Sequence, residues 1–344
     1  MDRGKDAIMD RLLEYNDVLI KPIPSSVNSR EGVSTSTSLP TNGKRVLRLG
    51  MPIIASPMKG IVGVNLIKEL GELGGIGILH RFYKSQEERL SDLFELEASG
   101  VDYGIAIRLN HATDVPILDS IYSKELTPKI LCIDTANGYI KQLRDYAQYI
   151  SGELIKQDVI LSLMAGNVVS FEGVHGLSVN GVALSRIGIG SGQLCTTRNK
   201  AGIGYPQLSA LQELKGKWWG LIADGGIKTT ADIVKALGAG ADAVMLGSMF
   251  AKTFESDNNG QIYGMASQEL QDEFYGSYKS IEGISRKVEK TMPLKTLVDD
   301  ISWSIRSACT YVNANNLAQL RKNTTFVYVG SHSIVEKEDV YVPN

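Results

Sequence analysis

Residues 220–250 read GLIADGGIKTTADIVKALGAGADAVMLGSMF, two short apolar runs separated by a segment of helical length. The runs cover 220–224 and 243–247, and each passes directly into polar and glycine residues, ADGG after the first and LGSM after the second. Apolar runs of this length suit strands that are buried on both faces, as in a parallel sheet covered by helices. The stretch therefore predicts a strand, a helix and a second, parallel strand.

The same pattern recurs along the chain from Pro52 onward. Apolar runs alternate with amphipathic or polar segments, and the runs cover 52–56, 75–80, 103–108, 130–134, 159–165, 182–189, 220–224 and 243–247. Eight such units, beginning at 52 and ending near 250, are typical of an α/β TIM (β/α)8 barrel. A doubly wound open sheet stays possible, although the first unit lacks the glycine fingerprint of that fold.

The ends of the runs carry the polar residues, in SPM, HR, DTANG, AGN, GIGSG, ADGG and LGSM. In a TIM barrel these ends form the face that hosts active sites, and the loops after strands seven and eight are the usual phosphate cradle. The candidates for that cradle are Gly225, Gly226, Gly247 and Ser248. The alternative is that these glycines only close tight turns.

Length and composition indicate the class of protein and the number of domains. The 344 residues allow one large domain or two ordinary ones, and 43% hydrophobic with 22% charged residues describes an ordinary globular protein. We predict a single domain over 1–344, with an N-terminal arm or lid at 1–50, barrel strands within 52–250, and a flap and C-terminal segment at 251–344 that includes a helix near 294–308. A net charge of -2 without a basic tract argues against nucleic acid as a partner.

The three cysteines lie far apart, without a CxxC pair or zinc-type spacing. The N-terminus carries charges throughout, unlike a signal peptide, and no window approaches 18 consecutive apolar residues. We therefore expect a cytoplasmic protein with no membrane partner.

Residues 187–207, IGIGSGQLCTTRNKAGIGYPQ, hold a thiol among closely spaced glycines. Loop amides and Arg198 could favour the thiolate of Cys195 and make it a nucleophile, whereas the alternative is a surface turn with a chance cysteine. Cys132 and Cys309 fit buried core positions better. His80 fits a hydrogen-bonded barrel residue better than a catalyst, and the remaining histidines show no constellation, namely His111, His175 and His332.

The 187–207 loop resembles the catalytic-cysteine loop of the IMP dehydrogenase and GMP reductase family, which are phosphate-binding TIM barrels. The resemblance extends through NDVLIKP, ASPM, GGIGILHR, DTANGY, MAGNVV, ADGGI, GAGADAVMLGSMF, YGMAS and RSACTYV. Three features resemble the reductase branch. The segment between 80 and 103 leaves no room for a regulatory domain, and the sequences DTANGY, GYPQLSA and ACTYV are similar to those of the reductases. No arginine stands between Met265 and Glu282. A short IMP dehydrogenase and a non-catalytic purine-nucleotide-binding barrel remain alternatives.

The resemblance implies a reductive deamination of GMP to IMP. Cys195 would attack C2 of the purine and form a covalent thioimidate as ammonia leaves, and NADPH would deliver a hydride to C2. Thr197 and Glu282 match the pair that moves a proton to the departing amine. Asp224 matches the ligand of the ribose hydroxyls. The other substrate positions are Gly225, Gly226, Gly247 and Ser248 at the phosphate, Gly264, Met265 and Ala266 at the base, and Lys279 with Gly283 in a further contacting stretch.

The resemblance also implies a nucleotide cofactor, a potassium ion and a homotetramer. The positions matching NADPH contacts are Ser29, Arg30, Arg81, Asp134, Thr135, Ala136, Ile189, Gly190, Ser307, Ala308, Cys309 and Thr310. Several of these belong to the arm or serve a neighbouring subunit. The positions matching the potassium loop are Gly190, Gly192, Cys195 and Arg198.

Some positions depart from the family pattern. The departures are Lys59 for an aspartate, GIAIRLNHAT for a Ser/Gly-rich segment, Ser191 for a proline, Ser248 for a glycine, Lys279 for an arginine and Ile281 for a serine. Lysine in place of arginine keeps the charge and loses bidentate geometry, so Lys279 can still hold a phosphate.

Overall fold

A computed structural model gives the fold, and it describes residues 12–109, 114–192, 197–264, 267 and 285–329. The strands in chain order are β1 (Val18–Ile20), β2 (Thr37–Pro40), β3 (Val46–Leu49), β4 (Ile53–Ala55), β5 (Ile76–Leu79), β6 (Tyr103–Ile107), β7 (Ile130–Ile133), β8 (Ser162–Val168), β9 (Leu184–Ile187), β10 (Leu221–Asp224), β11 (Ala243–Leu246), β12 (Gln261–Tyr263), β13 (Ser285–Lys287) and β14 (Phe326–Tyr328). The α-helices are α1 (Val64–Glu72), α2 (Gln86–Ser99), α3 (Val115–Tyr122), α4 (Lys141–Lys156), α5 (Phe171–Ser178), α6 (Thr197–Ala201), α7 (Gln207–Leu214), α8 (Thr230–Ala239), α9 (Leu294–Tyr311) and α10 (Leu317–Asn323).

Strands β4 to β11 close into a barrel in chain order, with β11 pairing back onto β4. Every neighbouring pair is parallel, and a helix follows each of these strands except β11, which leads into a short 3-10 turn at Phe250–Lys252. Seven of the eight apolar runs contain one barrel strand each and the fifth overlaps β8, so the TIM-barrel prediction is confirmed. The predicted C-terminal helix is also present and extends to Tyr311.

The fifth run differs from its strand in position. The sequence predicts 159–165, whereas β8 covers Ser162–Val168 and includes the polar Asn167. A register shift against β9 lies between Gly166 and Val168. Asn167 is compatible with this buried position because its side-chain amide donates to the carbonyl of Gly188 at 2.7 Å and to Oδ2 of Asp224 at 2.8 Å.

A hairpin of β2 and β3 closes the bottom of the barrel, at the amino-terminal ends of the strands. Its apolar side chains Leu39, Leu47 and Leu49 join the inner core with residues from the barrel strands. Thr37 Oγ1 donates to the carbonyl of Asp242, just before β11, at 2.9 Å. The sequence prediction places this segment in an N-terminal arm or lid at 1–50; from Thr37 onward it forms this hairpin, in which alternate leucines face the barrel interior.

The helices form the outer layer, and α9 packs against α8 and α1. Outside the barrel β1 pairs antiparallel with β14, and β12 with β13. Over the described ranges, none of the helices combines the length and the apolar character that crossing a membrane requires. The division into arm, barrel and C-terminal segment of one domain stays a prediction.

Candidate active site

A row of alternating charges crosses the carboxyl-terminal mouth of the barrel. Arg81 follows β5, Asp134 follows β7, Arg186 lies in β9 and Asp224 ends β10. Nε of Arg81 donates to Oδ2 of Asp134 at 2.9 Å, and Nη1 of Arg186 donates to Oδ1 of the same carboxylate at 3.0 Å. Nε and Nη2 of Arg186 both reach Oδ2 of Asp224 at 2.9 Å. These four residues, the charge row, connect the cofactor and substrate positions of the sequence prediction.

The side chains of the charge row are largely buried, between 10% and 14% exposed. Burial alone would raise the pKa of Asp134, but Arg81 and Arg186 outweigh it, so this pKa lies below its usual value. Burial alone would lower the pKa of Arg186, and Asp224, Cys132 and Asp134 together raise it above its usual value. Asp134 and Arg186 are therefore ionised at neutral pH.

The carboxylate of Asp224 has one engaged and one open oxygen. Arg186 and Asn167 both donate to Oδ2, and within the described residues Oδ1 accepts no hydrogen bond. The main-chain carbonyl of Asp224 accepts from Nε2 of Gln207 at 2.8 Å and from Oγ of Ser191 at 3.3 Å. The contacts of Oδ2 fix the orientation of the carboxylate and leave Oδ1 as an open hydrogen-bond acceptor.

Glycines follow β10 and β11 where the sequence predicts a phosphate cradle. Gly225 has φ 82° and Gly226 has φ 78°, in the left-handed region that favours glycine. A Cβ at Gly225 would lie 3.0 Å from Oγ of Ser191, and one at Gly247 would lie 2.2 Å from Sδ of Met58. The backbone at these turns therefore comes close to its neighbours, and Ser248 lies beside Gly247 at the same mouth.

Helix α8 begins just after the Gly225 and Gly226 turn. Thr229 caps it, because its hydroxyl accepts from the amide of Asp232 at 3.2 Å, and Oδ2 of Asp232 accepts from the amides of Lys228 and Thr229 at 3.0 Å. This capping box fixes the direction in which the helix leaves the turn.

Part of the cysteine loop is described. Gly188 and Gly190 have φ 145° and 72°, and Ile189 forms a bridge with Tyr205. Arg198 lies on α6, and its Nη2 contacts Oε1 of Glu14 at 2.5 Å. Gly192 ends the described part before Cys195, and Gly264 is buried after β12. The predicted residues outside the described ranges are Cys195, Met265, Ala266, Lys279, Ile281, Glu282 and Gly283, and for Thr197 only the backbone is described.

The predicted cofactor residues form two groups. At the mouth lie Arg81, Asp134, Thr135, Ala136, Ile189 and Gly190. Outside the barrel, the arm contacts α9: Nη1 of Arg306 donates to the carbonyls of Arg30, Glu31 and Val33 at 3.3, 3.1 and 2.6 Å. The residues that this second contact brings together are Ser29, Arg30, Ser307, Ala308, Cys309 and Thr310.

Cys132, Cys309 and His80 lie in buried surroundings that fit a structural role. Cys132 and Cys309 are free and buried, and burial raises the pKa of their thiols to about 12 and about 11. His80 is also buried; burial, with Lys59, Arg89 and Arg81 nearby, lowers its pKa to about 3. Its Nδ1 accepts from the amide of Phe82 at 3.2 Å. His80 is thus a neutral barrel residue, and His175 lies on α5, whereas His111 and His332 lie outside the described ranges.

The described residues contain no group of three or more histidine, cysteine or acidic side chains that could hold a metal ion. A potassium ion does not need such a group, since carbonyl oxygens suit it. Of the predicted potassium positions, Gly190 is half-buried and lies in a turn with φ 72°.

Comparison with protein families adds a second line of evidence. The family model of the IMP dehydrogenase / GMP reductase domain matches residues 12–339. The chain belongs to this family.

Its relatives in the family match almost end to end. GMP reductase 2 from Bos taurus is 32% identical over 336 residues, which cover 93% of this chain and 95% of that protein. A GMP reductase from Caenorhabditis elegans is 32% identical over 349 residues, covering 96% and 94%. One from Klebsiella pneumoniae is 34% identical over 338 residues, covering 93% and 95%.

Three residues of this family member's mouth were missed by the sequence reasoning: Arg186, Asn167 and Gln207. Arg186 carried a usable signal, because a cation inside an apolar strand run needs buried carboxylates as partners. Asn167 and Gln207 lie in quoted motifs, MAGNVV and GYPQLSA, but their partners are separated from them by 57 and 17 residues, which no local pattern reveals.

Proposed function

We propose that the protein is an NADPH-dependent GMP reductase, which converts GMP to IMP and ammonia. The observation that carries the proposal is the match to proteins named GMP reductase, from a mammal, a nematode and a bacterium, over 93% to 96% of this chain. The mouth of the barrel supports it, because an open carboxylate oxygen on Asp224 lies beside the glycine turns of a phosphate cradle.

Cys195 is the proposed nucleophile. Its thiolate adds to C2 of the guanine ring, and the bond from C2 to the exocyclic nitrogen breaks as that nitrogen leaves as ammonia. The product of this step is a thioimidate between Cys195 and the purine. NADPH, when bound, would supply a hydride to C2, and cleavage of the carbon–sulfur bond would regenerate the Cys195 thiolate and release IMP.

Thr197 and Glu282 are the proposed proton carriers. The exocyclic nitrogen needs a proton before it can leave as a neutral amine, and a hydroxyl hydrogen-bonded to a carboxyl group can deliver one. Their roles rest on the family pattern in the sequence.

Binding of the nucleotide uses the described turns. Oδ1 of Asp224 accepts from a ribose hydroxyl, and the amides around Gly225, Gly226, Gly247 and Ser248 surround the phosphate. The base lies against Gly264, Met265 and Ala266, with Lys279 and Gly283 in the adjoining stretch. Ser191, in place of the usual proline, supports this site by its contact with the carbonyl of Asp224.

The cofactor would be held by both groups of residues described above. Asp134 fits a cofactor role because two arginines hold its carboxylate in one orientation at the mouth. The arm and α9 group, on the outer side of the barrel, suits a cofactor bound by a neighbouring copy, and we propose a homotetramer on this ground. Carbonyls of Gly190, Gly192, Cys195 and Arg198 would hold a potassium ion, and the proposed location is cytoplasmic.

A turnover panel tests the proposal. The purified protein is mixed with GMP and NADPH, and the loss of NADPH absorbance is followed together with the formation of IMP and ammonia. Cys195→Ala should abolish turnover and still bind GMP. Parallel reactions with IMP and NAD test the dehydrogenase direction.

The outcomes separate the alternatives. Formation of NADH from IMP, without NADPH oxidation by GMP, would contradict the reductase assignment in favour of a dehydrogenase. Nucleotide binding that is unchanged in Cys195→Ala, with no turnover in either direction by the wild type, would indicate a non-catalytic barrel.

A further inference from the structure

The N-terminal residues Leu13–Tyr15 lie against the cysteine loop and the end of strand β10. The amide of Leu13 donates to Oγ of Ser209 at 2.8 Å, and its carbonyl accepts from the amide of Ser209 at 3.2 Å. Nζ of Lys235, on α8, donates to the carbonyl of Tyr15 at 2.9 Å. The segment is thus fixed by long-range contacts before it reaches β1.

Glu14 joins two elements that flank the loop. Its Oε1 contacts Nη2 of Arg198 on α6 at 2.5 Å, and its Oε2 accepts from the backbone amide of Gln207, the first residue of α7, at 3.2 Å. One carboxylate therefore holds the helix that begins at the loop and the helix that follows it.

The stem of Arg198 lies against two glycines of the loop. An added Cβ at Gly190 would lie 2.7 Å from Cγ of Arg198, and one at Gly204 would lie 2.9 Å from the same atom. Nη2 of Arg198 also donates to the carbonyl of Tyr205 at 3.3 Å. The arginine stem thus lies between the two glycines, and its guanidinium group faces Glu14.

The contacts continue from Gln207 into the substrate side of the site. Oε1 of Gln207 accepts from the hydroxyl of Tyr15 at 2.7 Å, and Nε2 donates to the carbonyls of Ile187 and Asp224 at 2.6 and 2.8 Å. The N-terminal pair Glu14 and Tyr15 is thereby connected to the strand ends before and after the cysteine loop.

We propose that Glu14 is a positioning residue for the reaction: through Arg198 it holds the cysteine loop in the arrangement that turnover needs. This inference rests on the proposed function, since it assigns the reaction to that loop. The side chains of Arg198 and Glu14 are 41% and 33% exposed, so their ion pair contributes little to the global free energy of unfolding. Its main effect is on the position of the loop.

Glu14→Gln tests the proposal, because it keeps the shape and removes the charge that holds Arg198. We expect kcat for GMP to fall by about tenfold with KM within about twofold, since misplacement of a reacting group lowers the rate more than the affinity. Amide hydrogen exchange in peptides from residues 187–207 should become about fivefold faster, with the barrel strands unchanged. Glu14→Asp, which retains the carboxylate, should restore part of both.

Asp145→Asn is the matched control. It breaks the surface ion pair of Lys141 and Asp145, 2.6 Å apart on α4, and should leave kcat and loop exchange as in the wild type. The double variant Glu14→Gln with Arg198→Gln should be no slower than Arg198→Gln alone if Glu14 acts through Arg198.

Two results would overturn the inference. The first is a Glu14→Gln protein whose kcat and loop exchange equal those of the control, and the second is faster exchange throughout the barrel with a lower melting temperature. Absence of GMP turnover in the wild type would instead count against the proposed function, and loop exchange would still decide whether Glu14 orders the loop.

Discussion

Arg186 lies between Asp134 and Asp224 inside the upper barrel, where it also has Cys132 within 3.8 Å of Nη1. A buried guanidinium group is tolerated when fixed carboxylates take its hydrogen bonds, and here both partners belong to the candidate site. Arginine suits the position because its planar group reaches two carboxylates at once, which a lysine ammonium cannot do with the same geometry. The residue thus links the two ligand regions of the mouth.

Replacement of Arg186 tests whether the two carboxylates depend on it. Arg186→Met leaves two buried carboxylates facing each other, so we expect the free energy of unfolding to fall by about 3 kcal/mol or more and KM for GMP and NADPH to rise together. Urea denaturation and steady-state kinetics measure the two effects. Arg48→Met on β3, where the arginine is exposed, is the control, and equal stability losses in both variants would contradict the argument.

His80 should make stability depend on pH. Its pKa is about 3 in the folded chain and near 6.5 when unfolded, so the unfolded state takes up a proton first as the pH falls. This residue should therefore lower the free energy of unfolding by about 2 kcal/mol between pH 7 and pH 5. His80→Gln should remove that part of the slope in urea titrations at a series of pH values. Identical slopes in wild type and His80→Gln would refute the assignment.

At the scale of elements, the barrel strands could be predicted from the sequence, whereas the β2–β3 hairpin and the end of β8 could not. Doubly buried parallel strands give continuous apolar runs, and seven of the eight runs contain a barrel strand while the fifth overlaps one. The β2–β3 hairpin was missed because Leu39 stands alone in a stretch of Ser and Thr, and its burial depends on the barrel end that it covers. The extension of β8 to Val168 was missed because Asn167 is satisfied by distant partners. For the site, motif resemblance predicted Asp224 and its glycines. The contacts of Glu14 and Gln207 join residues far apart in the sequence, so no local pattern encodes them, whereas Arg186 could have been singled out as a cation within an apolar run.

The hairpin gives a prediction at this scale. Leu39 is fully buried at the bottom of the barrel, so Leu39→Ala should lower the free energy of unfolding by about 3 kcal/mol through the cavity that it leaves. Because the mouth is at the opposite end, KM for GMP should stay within about twofold at 25 °C. Val46→Ala, at a position 37% exposed on the same hairpin, is the control and should cost under about 1 kcal/mol. A cost for Leu39→Ala as small as that of the control would show that the hairpin does not close the core.

At the scale of the whole molecule, the two groups of proposed cofactor residues predict cofactor sites that are formed by two copies of the chain. If Ser307–Thr310 of one copy serve the mouth of its neighbour, two inactive variants should complement each other in mixed oligomers. A random one-to-one mixture of Cys195→Ala and Ser307→Trp subunits should recover about a quarter of wild-type activity, because a quarter of the sites receive both intact parts. Each variant alone is the control, and a mixture as inactive as its components would argue against sites shared between copies.

The pairing of β1 with β14 has a consequence for the order in which the chain can be connected. Val18 lies opposite Tyr328, so the first and last strands of the described chain are neighbours in space. Gly216 is exposed at the bottom of the barrel, with nothing within 4 Å of an added Cβ. A circular permutant that joins the ends of the chain beside β1 and β14 and opens it after Gly216 should keep every barrel contact. The contacts of a closed barrel do not depend on which strand comes first along the chain.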